Sequence, residues 1–311
     1  MTPSLKSFVR VVAVLGVGTL LSTAAEPFLR PHDVIAIVGG EDMVVMSEYG
    51  YLELLLTRAL PEYQLRFRNL AWEGDTVFEQ RRDLNFPTLE EQLDKVGATV
   101  VLTQFGQMES FAGKEKLPEF IAAYEKLISR LNGGGKRRVM VHPPASFELL
   151  SLPPVHHLAE AAAARDAFDV YVEAITRLRE YEGDCHVVFR SRKLTRDSIH
   201  ASDLGSWLEA KRLGFQLANE QSQNGVVSRS ERPIIPPELL VLIRTKNRLW
   251  FDYWRVQNWA FLAGDRTTQP SSRDHLDPSK RWFPPEREAF LPLIEAKEKE
   301  IDALARKLGK P

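Results

Sequence analysis

The chain has 311 residues, 44% hydrophobic and 27% charged, with a formal net charge of −1. This is the composition of an ordinary globular protein with a sizeable core. A charge so near zero gives no electrostatic case for binding nucleic acid or an anionic membrane. The basic runs at 136–138 and 190–196 are short and read as solvated loops or strand edges.

In chain order, the first segment is a leader. Lys6 and Arg10 precede an apolar run over 11–21, followed by the small residues Ser22, Thr23, Ala24 and Ala25. That order predicts a secretory signal peptide over 1–25, cleaved near Ala24 or Ala25. The run is too short for a comfortable span. An uncleaved anchor is the alternative, and no membrane span is expected in the mature chain. The protein is therefore expected to be secreted or periplasmic. Cys185 is the single cysteine, so no intramolecular disulfide can form. Its place before an apolar run predicts a buried, inert thiol.

Strand-like and helix-like stretches then alternate. The strands are expected over 34–38, 65–70, 99–104, 138–142 and 186–189, and the helices over 44–60, 89–95, 117–131, 156–182 and 201–221. Alternation of this kind predicts a parallel five-stranded sheet covered on both faces, a flavodoxin-like three-layer α/β/α domain over 32–223. The first strand closes on Gly39-Gly40 and is followed at once by Glu41 and Asp42. In such sheets ligands collect beyond the carboxyl ends of the strands, which marks this turn as the candidate site. Past a Pro-rich linker at 228–237, a C-terminal helical extension over 224–311 is expected to pack on the domain. It holds an aromatic-rich helix over 238–262 (Trp250, Phe251, Tyr253, Trp254, Trp259, Phe261), an irregular loop over 264–285 and a final amphipathic helix through Leu293 and Leu308. The aromatics read as core packing, with an aromatic wall beside the site as the functional alternative.

Four segments stand at carboxyl ends of strands: Gly39 to Asp42, Asn69 to Asp75, Phe105 to Ser110, and Asp197 to His200. Together with the region Asn247 to Phe251, their order resembles the SGNH, or GDSL-type, hydrolases, in particular exported members with a C-terminal helical extension. The resemblance runs from about Asp33 to Lys307. It implies the SGNH-hydrolase fold and hydrolysis of a carbohydrate or other small acyl ester through an acyl-enzyme, with no cofactor and no metal. In that family a serine after the first strand is the nucleophile, a glycine after the second and an asparagine after the third help form the oxyanion hole, and Asp-x-x-His supplies the base. Carried over, Gly74 is the oxyanion glycine, Asp197 the orienting acid and His200 the base. Glu41 stands at the serine position and Met108 at the asparagine position. Glutamate cannot make the same acyl attack and would repel an oxyanion; methionine has no N–H to donate. Losing one oxyanion donor costs about 10²–10³ in rate, and losing the serine on the order of 10⁶.

Three readings follow: an ester hydrolase using another serine, a catalytically inactive glycan- or partner-binding protein on the same cleft, and a carboxylate-based hydrolase using Glu41. Other serines near the motifs are Ser47, expected along or behind its helix, Ser110 and Ser198. The third reading draws on Glu41, Asp42, Glu73, Asp75 and Glu109, expected on one rim with Asp197 and His200; such a cluster could divide acid and base roles or hold a hard cation such as Ca²⁺. The plainer role for Asp42 and Asp203 is to cap helices. His142, at a strand end, reads as structural. No zinc-type or nucleotide-binding spacing is present, and nothing in the sequence sets the oligomeric state.

Overall fold

The computed structural model describes residues 27–144, 158–178, 185–187, 194, 201–219, 235–256 and 259–309. The leader over 1–25, Asp197, Ser198 and His200 lie outside them, as do most of the linker and of the 190–196 basic run.

The sheet is built from β1 (Val34–Gly39), β2 (Arg66–Asn69), β3 (Val100–Gln104), β4 (Arg138–Val141) and β5 (Cys185–Val187). Its strand order is β2-β1-β3-β4-β5 and every pairing is parallel. Side chains alternate between the faces, and both faces are apolar: Ile35, Ile37, Val100, Leu102 and Met140 point to one side, Ala36, Val38, Val101, Val139 and Val141 to the other. A sheet buried on both sides needs this near-continuous apolar strand sequence.

The first face is covered by α1 (Glu41–Tyr49), α2 (Tyr51–Ala59) and α7 (Asp203–Asn219), through residues such as Met43, Leu52 and Leu213. The second is covered by α3 (Leu89–Lys95), α5 (Leu117–Asn132) and α6 (Leu158–Arg177), through Leu93, Phe120 and Tyr171. This is the flavodoxin-like three-layer architecture expected. A short helix α4 (Gln107–Ser110) follows β3.

Several boundaries differ from the sequence expectation. The helix predicted over 44–60 begins at Glu41 and breaks at Gly50, whose φ of 68° lies in the left-handed region and whose N–H caps α1 on Met46 O at 3.1 Å. Asp42 is not the cap: Gly40 is, and Glu41 and Asp42 occupy the first turn, where acidic residues meet the positive end of the helix. Of the basic run at 136–138, only Lys136 is solvated. Arg137 is buried, pairing with Asp94 and donating to Leu131 O, and Arg138 pairs with Asp33 at 2.5 Å.

The aromatic-rich helix is α8 (Pro237–Trp254); Arg255 ends it, and a separate turn α9 (Trp259–Leu262) follows. Beyond them come α10 (Phe283–Glu288) and α11 (Phe290–Leu308). These helices straddle the β2 edge: Leu239 and Ile243 join the first core, Trp250, Tyr253 and Trp254 the second. Core packing therefore accounts for those three aromatics. From α11, Glu298 pairs with Arg66 at 3.3 Å and with Arg68 at 2.6 Å, and Asp302 pairs with Arg66 at 2.7 Å. No helix among the described residues is long and apolar enough to cross a membrane.

Candidate functional site

β1 delivers the chain to a turn that tolerates only glycine. A Cβ on Gly39 would sit 2.4 Å from Gln104 O and 2.6 Å from Met43 Cγ, so β1 and β3 approach here as closely as backbones can. The segment after β2 folds back onto the same turn. Trp72 N–H donates to Gly39 O at 3.1 Å, and Asp75 N–H closes a turn on Trp72 O at 3.1 Å with Gly74 inside it. After β3, Gly106 adopts φ 115° and starts α4, where a Cβ would meet Ile175 at 2.8 Å.

These three turns enclose a cleft of about 250 Å³. Glu41, Asp42, Glu73, Asp75 and Glu109 all line it, with Met108 beside them. The rim of carboxylates expected from the sequence thus forms, and Glu41 and Met108 share one cavity. Gly74 is exposed between two lining residues, in the turn that carries them. Met108 is 55% exposed, so its thioether stands at the mouth. Asp197 and His200, expected as acid and base, lie outside the described residues.

The carboxylates are not equivalent. Glu109 is buried and accepts from Gly106 N–H and Val77 N–H, each at 2.8 Å. Burial raises its pKa and those two donors oppose the rise. Glu73 is forked by Arg255 at 2.9 and 2.5 Å, and that hydrogen bonding holds its pKa down. Asp75 is pushed up to about 6 by burial, although Arg82 pairs with it. Both guanidinium groups lie over the Trp72 ring, Arg255 4.1 Å and Arg82 4.5 Å from its centroid. Through Arg255 the C-terminal extension thus holds the turn that carries Gly74. Among the described residues no three His, Cys, Asp or Glu side chains are grouped as a metal site.

No described serine lines this cleft. Ser110 is buried and its hydroxyl donates to Gln107 O at 2.7 Å. Ser47 faces a separate cavity of about 270 Å³ between α1 and α8, where Asn69 Nδ2 donates to its Oγ at 2.7 Å. His142 is wholly buried against the Glu209 carboxylate, and its backbone N–H donates to Thr103 O. That is a structural position with no face on the cleft.

Sequence reading missed Gln104. It closes β3, is buried, and lines the cleft together with a smaller neighbouring cavity. Its place as a polar residue closing a strand that opens Val-Val-Leu was the available signal. It missed Arg255 and Arg82 too, since nothing local ties them to Glu73 and Asp75.

The flavodoxin-like strand order places the three site turns together at the carboxyl ends of β1, β2 and β3. No protein-family model matches the chain, and no curated protein matches it in sequence. Solved structures overlap it in part. One is a gut microbial diltiazem-metabolizing enzyme, 13% identical over 62% of this chain and 48% of that one, with a TM-score of 0.48. A family two carbohydrate esterase from Clostridium thermocellum in complex with cellohexaose is 15% identical over 63% and 65%, at 0.41. A lipase/acylhydrolase from Enterococcus faecalis is 15% identical over 60% and 95%, at 0.42. The chain spans about half the length of the first of these.

Proposed function

We propose that this protein is an exported SGNH-hydrolase-like protein whose cleft binds a carbohydrate or other small acyl ester without serine-based turnover. One observation carries the reading: the cleft at the strand ends presents five carboxylates and no described serine. Ionised carboxylates accept hydrogen bonds from hydroxyl groups, so the rim suits a neutral polyol such as a sugar. The same rim opposes the oxyanion of an acyl transfer, and Met108 offers that oxyanion no donor. Gly74 retains a backbone N–H for a carbonyl oxygen, and Asp197 with His200 keep the family's acid and base residues at the end of the chain's α/β part.

The test is hydrolysis of p-nitrophenyl acetate and acetylated sugars by the mature protein beside His200→Ala and Glu41→Gln, with glycan binding by calorimetry. Saturable glycan binding, with any turnover equal in all three proteins, is expected. Turnover abolished in His200→Ala alone would replace this reading with an ester hydrolase using an unassigned nucleophile. Loss in Glu41→Gln as well would point to carboxylate-based hydrolysis.

A further inference from the structure

The cavity of about 270 Å³ between α1 and α8 shares no lining residue with the cleft. Its wall carries three guanidinium groups, Arg244, Arg248 and Arg255, which follow one face of α8 and its C-terminal cap. Each is fixed along one edge. Arg244 Nε donates to Tyr49 O at 3.0 Å, and no carboxylate among the described residues pairs with this arginine. Arg248 uses Nε and Nη2 on Asp252 at 3.1 and 2.8 Å. Arg255 uses Nη1 and Nη2 on Glu73 at 2.9 and 2.5 Å. Arg248 and Arg255 also lie over the Phe251 ring, 5.2 and 4.9 Å from its centroid. That leaves Arg244 Nη1 and Nη2, Arg248 Nη1 and Arg255 Nε to donate to a ligand. Guanidinium groups held in this way match the oxygens of a carboxylate or phosphate and lose little freedom on binding one.

The rest of the wall divides into an apolar floor and a polar side. Val44, Ala71 and Trp250 are buried and Phe251 is half-buried, a surface for a flat apolar body. Ser47 is pinned by Asn69 Nδ2 on its Oγ at 2.7 Å and by Asn247 Nδ2 on its carbonyl at 2.9 Å, so its hydroxyl proton is left to donate. Glu48 is the acidic side chain of the wall; it is exposed and pairs with none of the three arginines. Arg244 and Arg248 stand about 6 Å apart along the helix axis, a spacing that one oxyanion can bridge. A drug-sized ligand needs roughly 300–1,000 Å³, so this cavity takes a single ring with one charged group.

We propose that this cavity is a second ligand site, for a small organic anion. Its carboxylate or phosphoryl oxygens sit between Arg244 and Arg248 with the Ser47 hydroxyl, and its flat apolar body lies on Phe251 and Trp250. Arg255, tied to Glu73 of the cleft, bounds one end. The site stands independently of what the cleft binds.

The experiment titrates the full mature chain with phenyl phosphate and benzoate, with the bare heads inorganic phosphate and acetate, and with the neutral benzyl alcohol. At least one of the two ring-bearing anions is expected to bind about tenfold tighter than its bare head and than benzyl alcohol; the tighter of the two names the head group. Changing Arg244→Gln together with Arg248→Gln should weaken that ligand at least about tenfold. Phe251→Leu should erase most of its advantage over the bare head, and Glu48→Gln, which removes a like charge, should tighten it by about threefold. Glu41→Gln in the cleft should leave it within about twofold. Thermal melts without ligand check that the variants fold. Binding of neither ring-bearing anion overturns the site, as does equal affinity for ring-bearing anion and bare head, the mark of an unselective basic surface. Affinity unchanged in the folded double arginine variant overturns it too; should that variant not fold, affinity unchanged in both Phe251→Leu and Glu48→Gln does so. Binding lost in Glu41→Gln would put the anion in the cleft and overturn the site as well.

Discussion

Asp75 shows how far burial can outweigh a partner. Arg82 pairs with it, yet its pKa is pushed up to about 6 because the carboxylate is taken out of water. The native state thus holds a proton that the unfolded chain releases near pH 4, so stability falls as pH rises from about 4 to 6 and levels off above. In urea melts at pH 4, 5, 6 and 7, the stability of wild type minus that of Asp75→Asn should drop by about 2–3 kcal/mol across this window. A flat difference would show that Arg82 fully compensates the charge. The site was partly legible at this scale. Glu41, Gly74 and Met108 could be placed because they sit at fixed offsets from strand ends. The two guanidinium contacts of Trp72 could not, because Arg82 and Arg255 reach it from separate segments.

At the scale of elements, a buried ion pair joins α2 to α8. Lys246 Nζ and Glu53 Oε2 meet at 2.9 Å with both side chains buried. Burial lowers the pKa of Lys246 and raises that of Glu53, and each opposes the shift of the other. Removing one partner strands a buried charge. Lys246→Met and Glu53→Leu should therefore each cost about 3–5 kcal/mol, and the double change should recover most of that. Guanidinium unfolding of the two single variants and the double variant reads this coupling directly. Losses that simply add would mean the pair does not interact. The break at Gly50 belongs to this scale too. Apolar spacing carried on across 44–60, and it took the turn's glycine conformation, with Ile243 of α8 3.0 Å from its Cβ position, to split one predicted helix into two.

At the scale of the whole molecule, the C-terminal extension is part of the core rather than an appendage. Ile243 and Ile301 belong to one hydrophobic cluster, Trp250, Tyr253 and Ile294 to the other, and Arg255 reaches the site turn. Urea unfolding followed by far-UV circular dichroism and by tryptophan fluorescence should give coincident single transitions. Fluorescence changing first, at lower urea, would show that the α8 aromatics detach before the sheet melts.

Local sequence determined the layers and the address of the site. Near-continuous apolar strands buried on both faces admit a parallel sheet between helices, and glycines at strand ends have to turn there. Tertiary structure decided everything that depends on groups distant in the chain. It buried Arg137 beside Asp94, turned Ser47 away from the cleft into another cavity, and set Gln104 on the border of two cavities. The reason is physical: backbone propensity and periodicity act over a few residues, whereas desolvation and charge pairing are set by which surfaces the packed helices close off from water.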